Sequence, residues 1–329
     1  METLKMDCEI LLDAIGEAEL LRKAPHTPKQ PGPGEVRIRH KAIGVNFVDV
    51  YHRTGLYPVP HFPIILSVEG AGFIEAAGPG VSNLKPGDRV AYAGLPIGAY
   101  ASTRLLPADR VLKLPEHVSS DEVAANLLRG ITAHMLLTHS FCVDSNTTVL
   151  IHAAAGGLGT ILTRWAKHLG AKVIGTVSTE LKASIATKNG ADHVIVGRDT
   201  DFIAAVKKLT DGQGVNVAYD GIGGETLMKT AKCIQPSGAL VSIGQAGGRI
   251  AQSTVDELTK QAAFSFLRPS VISYVTDLNN YRASATELFK FMGEGIVGTI
   301  SEKIPLTEAV RAHQMLENGQ SSGSLLLIP

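Results

Sequence analysis

The sequence predicts an α/β protein of two domains, a β-rich barrel or sandwich followed by a doubly wound parallel sheet. Three observations carry this. Residues 1 to about 120 hold short strand-like segments separated by Gly and Pro turns. From residue 148 onward, apolar strand segments alternate with helical ones, the order of a parallel sheet with crossover helices. The stretch 149–176, VLIHAAAGGLGTILTRWAKHLGAKVIGT, reads as strand, glycine turn, helix, strand. A length of 329 residues also suits two domains.

Taken in order, the first strands are expected at 8–14, 35–44, 70–77, 89–92 and 100–106. Val36, Ile38, His40 and Ala42 alternate with Arg37, Arg39 and Lys41, the period-two pattern of a half-buried strand. Turns are marked by Pro31-Gly32-Pro33-Gly34, Gly78-Pro79-Gly80 and Lys85-Pro86-Gly87-Asp88. The character changes at residue 119. Ser119 with Glu122 three places on forms a capping box, which opens a helix over 121–128, and a second helix follows over 130–140. Strands are then expected near 148–153, 172–177, 193–196, 215–219 and 239–244, with a sixth over 263–267. Helices are expected near 158–169, 180–189, 200–210 and 224–234. Helices over 278–292 and 306–318 and a strand over 324–328 make a tail too short to form a domain. That tail is expected to return to the N-terminal domain.

Composition narrows the function. Hydrophobic residues make up 44% of the chain, yet no apolar run approaches the ~20 residues of a membrane span. Residues 1–24 carry charges throughout, unlike a signal peptide. Lysine plus arginine equals aspartate plus glutamate, 31 each, which argues against nucleic-acid binding. Cys8, Cys142 and Cys233 are widely separated and odd in number, so a disulfide framework and a structural zinc lobe are not expected. A reducing, cytoplasmic setting fits this cysteine usage.

The chemistry centres on the turn Ala153-Ala154-Ala155-Gly156-Gly157-Leu158-Gly159. Its spacing is A-x-x-G-x-x-G, with Ala153 in place of the first glycine. A backbone without side chains approaches a pyrophosphate closely, and the helix that follows offers N–H groups and its positive end. An NAD-binding version of the motif places an acid at the tip of the second strand. Here that tip is Gly175-Thr176-Val177-Ser178-Thr179, with no acid, and Lys182 and Arg198 follow. Small, polar and basic groups at this corner suit a 2′-phosphate, so NADPH is expected.

Several stretches together resemble one family: PGPGEVRIRHKAIGVNFVDVYHRTGLYP (31–58), EGAGFIEAAGPGVSNLKPGDRVAY (69–92), HAAAGGLG (152–159), AYDGIG (218–223), GALVSIGQ (238–245) and LRPS (267–270). They resemble the medium-chain dehydrogenase/reductase superfamily, and more closely its zinc-free quinone oxidoreductase (zeta-crystallin-like) branch. The resemblance implies a GroES-like barrel domain over 1–122, a Rossmann NADPH-binding domain over 123–267 and a return to the catalytic domain over 268–329, with the active site in the cleft between domains. It places Asn46, Phe47, Asp49 and Tyr51 at the nicotinamide end and Thr132 near its ribose. It places Gly156, Gly157, Leu158 and Gly159 at the pyrophosphate, and Gly175, Ser178, Lys182 and Arg198 around the adenine ribose. Gly221, Ile222, Gly244, Gln245, Phe266 and Arg268 would line the rest of the groove. It also implies a homodimer through the outermost strand of the nucleotide domain.

Zinc-dependent relatives carry a cysteine where this chain has Asn46 and a histidine where it has Val68. Neither replacement ligates zinc. Glu69 remains, and one carboxylate is not a site. Without a metal Lewis acid the expected substrate takes hydride readily: a quinone, or a conjugated enone or 2-alkenal. Tyr51 and Tyr57 are the candidate proton donors, and Asn46 is the candidate to hold the nicotinamide or the acceptor carbonyl. Asp49 and Asp220 read as structural, and His134 as a packed helix histidine. The chain departs from its relatives at His134, often tyrosine, at Gly197, tyrosine in some, at Gly319, arginine in some, and at Ser67, commonly glycine. A different class of reading is a nucleotide-binding protein with a mainly structural or RNA-binding role.

Overall fold

The alternation at 36–42 is realised in the strand Glu35–Val45, the spine of the first sheet. Val36 and Ile38 point into the core at 0% exposure. Arg37 and Arg39 point outward and both donate to Glu75, each at 2.6 Å. One edge of this strand is shared. Thr103–Pro107 pairs antiparallel with residues 35–39, and Ser324–Ile328 pairs with residues 43–45. The other edge carries Glu69–Ala77, then Arg89–Ala93 and Leu112–Lys113, while Ile300–Pro305 lies beyond Ser324–Ile328. A second, three-stranded sheet joins Leu21–Pro25, Cys8–Leu12 and Ile64–Ile65. Ile10, Leu12, Ile38, Ile43, Ile74, Val90, Leu325 and Leu327 fill the core of this unit.

These coordinates come from a computed structural model, which describes residues 6–261 and 263–329. The first five residues of the charged N-terminal stretch lie outside the described residues. The chain forms two units. One runs to Leu128 and takes in Ile272–Gly295 and Thr299–Pro329; the other is Arg129–Val271 with Ile296–Gly298.

The second unit is built on six parallel strands. Across the sheet they run His193–Val196, Lys172–Val177, Thr148–Ile151, Val215–Asp220, Ile234–Ser242 and Ser265–Leu267. In chain order this is 3-2-1-4-5-6, and the crevice where the order reverses lies beyond the C-terminal ends of Thr148–Ile151 and Val215–Asp220. Leu150, Ile174, Ala218 and Leu240 lie in its buried core. The two units thus have the GroES-like and Rossmann-type architectures expected. Among the described residues no helix is long and apolar enough to cross a membrane.

Several elements differ from expectation. The helices expected at 121–128 and 130–140 are one helix, Ser120–His134, continued by a π-helical turn, Met135–Ser140. The residues around Gly130 are fully buried, so packing overrides the glycine's weak propensity. The capping box at its start is present: Glu122 N–H donates to Ser119 Oγ at 3.2 Å, and Ser119 donates back to the Glu122 carboxylate at 2.8 Å. The strand expected at 239–244 starts earlier, as Ile234–Ser242. The short helix Phe47–Arg53, the helix Gln252–Lys260 and the strand Ile300–Pro305 are additional.

Ser67 and Ala153 are the two positions where this chain replaces an expected glycine. Both have left-handed backbone, φ 73° and 52°. An L side chain there costs roughly 1–2 kcal/mol, against roughly 0.5–1 kcal/mol of extra chain entropy for glycine. Ala153→Gly is therefore expected to stabilise the protein by about 0.5–1 kcal/mol in urea unfolding. Ser67→Gly is expected to be near neutral. The Ser67 hydroxyl donates to Gly44 O at 3.1 Å, and losing that buried bond costs about 1 kcal/mol.

Buried histidines are expected to make the first unit acid-sensitive, His40 and His313 most strongly. His40 contacts Ala101 O and the Tyr92 hydroxyl, each at 2.7 Å. Burial pushes its pKa down to about 3. His313 contacts the Tyr100 hydroxyl at 3.0 Å, and burial, with the nearby Arg53 charge, pushes its pKa down to about 3. Both folded values lie below the unfolded value of about 6.5, so between them the unfolded chain binds more protons. Stability is full above about pH 6.5 and falls as the pH drops from there towards 3. At pH 5 each histidine costs about 2 kcal/mol. Urea unfolding is expected to lose about 4 kcal/mol between pH 7 and 5, with about half restored in His313→Gln. A flat profile over that range would contradict this.

Candidate functional site

The strand Thr148–Ile151 ends in the glycine turn. The left-handed Ala153 reverses the chain, and its carbonyl accepts from Gly156 N–H at 2.8 Å. Ala154 N–H donates to Thr176 O at 3.1 Å, tying the turn to the neighbouring strand. The helix Gly157–His168 starts directly after Gly156. Its first turn has no acid and no side-chain cap, so its N–H groups and positive end face the turn unneutralised. The space here is sized for backbone alone. A Cβ on Gly159 would lie 2.2 Å from Ala153 O, and one on Gly175 would lie 2.8 Å from the Ala154 methyl.

At the tip of Lys172–Val177, Ser178 leads into Thr179, which caps the helix Glu180–Lys188 by accepting from Lys182 N–H. Lys182 is half-buried and Arg198 exposed. Burial, and then the Arg198 charge, hold the Lys182 ammonium below the usual lysine range. Two cations near enough to repel, at a strand tip without an acid, suit a phosphate dianion.

On the other side of the reversal, the Asp220 carboxylate accepts from the N–H groups of Ile222 and Gly223, each at 2.9 Å. Ala246 N–H donates to Gly221 O at 3.1 Å and Gly247 N–H to Ile222 O at 2.7 Å. The Gln245 amide oxygen accepts from Ile250 N–H at 2.8 Å. The predicted Gly221, Ile222, Gly244 and Gln245 therefore share one pair of adjoining loops. Phe266 lies on the edge strand opposite Leu240, and Arg268 is exposed one residue beyond that strand. Thr132 is buried on the helix Ser120–His134. His134 packs against Trp165 with ring centroids 5.8 Å apart. Gly197 and Gly319 both have left-handed backbone, φ 111° and 64°.

The remaining predicted residues lie in the first unit. Asn46 is the N-cap of Phe47–Arg53, and its N–H donates to the Asp49 carboxylate at 2.8 Å. Its side-chain amide donates to Glu69 at 2.6 Å, and the other oxygen of Glu69 accepts from Leu128 N–H at 2.8 Å. Asp49 also accepts from the Tyr100 hydroxyl at 3.1 Å. Tyr51 meets Tyr57 edge-on with centroids 5.2 Å apart and Phe47 at 6.1 Å. Tyr51 is 8% exposed and Tyr57 is 40% exposed. Among the described residues no group of three or more His, Cys, Asp or Glu side chains is gathered to hold a metal ion. Motif reasoning missed Glu69 as the holder of Asn46 and Tyr100 as a partner of Asp49. Both are remote in sequence from the segment they fix.

Comparison with known proteins follows this division. Residues 32–116 match the family model described as alcohol dehydrogenase GroES-like domain, and residues 157–284 match that described as zinc-binding dehydrogenase. The chain is 39% identical over 317 residues to quinone oxidoreductase 1 of Escherichia coli, covering 95% of this chain and 97% of that one. It is 41% identical over 307 residues to 2-haloacrylate reductase of a Burkholderia species, covering 91% and 92%. The solved structure of Escherichia coli quinone oxidoreductase complexed with NADPH superposes with a TM-score of 0.93 at 38% identity, covering 98% of this chain and 100% of that one.

Proposed function

This chain belongs to the quinone oxidoreductase family of the medium-chain dehydrogenase/reductase superfamily, and from that premise we propose that it is a zinc-independent NADPH:quinone oxidoreductase. The observation that carries the cofactor is the backbone-only cradle at Gly159, with Lys182 and Arg198 at a strand tip that lacks an acid. These residues fit NADPH. The turn 156–159 would hold the pyrophosphate, and Ser178, Lys182 and Arg198 the 2′-phosphate. Gly175, Gly221, Ile222, Gly244, Gln245, Phe266, Arg268 and Thr132 would line the remainder. When bound, NADPH supplies a hydride from its nicotinamide C4.

The chain's own residues supply position and a proton. Asn46 is held by Glu69 and Asp49, so its amide keeps one orientation toward the nicotinamide or the acceptor carbonyl. Tyr57 is the more exposed of the two tyrosines that meet edge-on and is proposed to donate the proton, with Tyr51 fixing its ring. Hydride plus proton reduces a quinone to a hydroquinone, a two-electron step. In this proposal residues 1–122 and 268–329 form the catalytic domain and 123–267 the NADPH-binding domain. The protein acts in the cytoplasm as a homodimer joined through the sheet-edge strand Ser265–Leu267.

Reduction of conjugated enones or 2-alkenals is a second reading, favoured by the likeness to 2-haloacrylate reductase. NADPH oxidation followed with 1,4-benzoquinone, 9,10-phenanthrenequinone and a 2-alkenal separates them. Faster turnover of the quinones supports the first reading and of the alkenal the second. No turnover with any of the three would defeat both.

A further inference from the structure

His152 stands between the strand Thr148–Ile151 and the glycine turn, and neither the turn nor the acceptor chemistry gives it a role. It is 6% exposed, and the Phe202 ring covers it edge-on with centroids 5.0 Å apart. Its Nδ1 lies 2.9 Å from the Thr176 hydroxyl and its Nε2 lies 2.9 Å from the Thr230 hydroxyl. The Thr230 hydroxyl donates to the Asp220 carboxylate at 2.7 Å. The other oxygen of Asp220 accepts from the N–H groups of Ile222 and Gly223.

The protons of this chain can be counted. A carboxylate brings none, so the hydrogen between Thr230 and Asp220 belongs to Thr230. Thr226 O lies 2.9 Å from the same hydroxyl, but the shorter, charged acceptor takes the proton. The Thr230 oxygen must then accept from His152 Nε2–H, and His152 Nδ1 accepts from Thr176. Burial lowers the pKa of His152 against the pull of Asp220, which agrees with a neutral ring. Every bond is consistent with one tautomer and one direction.

We propose that His152 is a positioning residue that holds three cofactor-binding segments in one register. Through Thr176 it grips the strand tip before Ser178 and Lys182. The same Thr176 accepts from Ala154 of the glycine turn. Through Thr230 and Asp220 it sets the loop Gly221–Gly224. The proposal rests on these segments being the NADPH site.

Two readouts test it without turnover: NADPH affinity by fluorescence titration, and hydrogen exchange of the Ile222 and Gly223 amides in the ligand-free protein. His152→Leu and Thr230→Val are each expected to raise the Kd for NADPH about 10-fold and to speed exchange at both amides. His152→Gln, whose side-chain N–H reaches Thr230, is expected to stay within about twofold of wild type, since it retains that bond. The double variant is expected to be no worse than either single one, because both break the same chain. If His152→Gln is as poor as His152→Leu while Thr230→Val matches wild type, His152 is a packing residue and the proposal fails. Should wild type not bind NADPH, the functional reading fails. The exchange arm still decides whether the chain sets the loop, and Thr230→Val, nearly isosteric, decides it if His152→Leu does not fold.

Discussion

Gly159→Ala is expected to weaken NADPH binding about 10- to 100-fold, the effect of about 1.4–2.8 kcal/mol of overpacking. The added methyl would lie 2.2 Å from Ala153 O and 2.8 Å from Ala154 Cα, both backbone atoms that no side-chain rotation can move. The start of the helix Gly157–His168 has to shift off the turn, and its N–H groups move with it. Gly156→Ala is the internal control. Its methyl would lie 3.2 Å from Ala153 O, which a displacement of a few tenths of an ångström relieves. Isothermal titration with NADPH checks both. Equal loss in the two variants would show that the clash at Gly159 is not what shapes the cradle.

Lys182→Ala is expected to raise the Kd for NADPH about 10- to 100-fold, the range for losing one hydrogen bond to a charged group, and to leave NADH within about twofold. Burial of the ammonium, and then the Arg198 charge, also predict a pH effect. The ammonium binds phosphate and the neutral amine does not. Since the Lys182 pKa is lowered from 10.5, NADPH affinity falls with rising pH in a window that opens below the ordinary lysine range. NADH affinity does not follow. Equal loss of both cofactors in Lys182→Ala would sink its assignment to the 2′-phosphate.

What was legible in the sequence was local. The row Val36, Ile38, His40, Ala42 announces a strand because burial alternates along it. The glycine turn announces itself because its strand, turn and helix are contiguous. The elements missed are those whose pattern is thin. Gln252–Lys260 buries only Leu258, and Ile300–Pro305 buries only Ile304, so each has too few apolar anchors to stand out. Phe47–Arg53 is too short to show a period, although Asn46 and Asp49 mark its start. The break expected near Gly130 is absent because the residues around it are packed in one continuous helix. At the site, the residues touching the proposed cofactor fall in readable motifs. Those holding them do not: Asn46 depends on Glu69, and His152 depends on Thr176 and Thr230, across gaps that no local pattern records. Ser67 and Ala153 lie between these cases. Their departure from glycine was visible, and the structure supplies the backbone angle that makes it matter.

The strand Ser324–Ile328 also sets an order of events. It lies between Ile300–Pro305 and Glu35–Val45, and the Ser324 hydroxyl donates to Ala125 O. During synthesis the residues of Arg129–Val271 emerge together and can fold as a unit while the first sheet is still missing an interior strand. Until residues 324–328 leave the ribosome, Ile43 and Val45 border an open strand edge. The nascent chain therefore keeps an unpaired edge at Ile43 and Val45 until residues 324–328 are free to pair there.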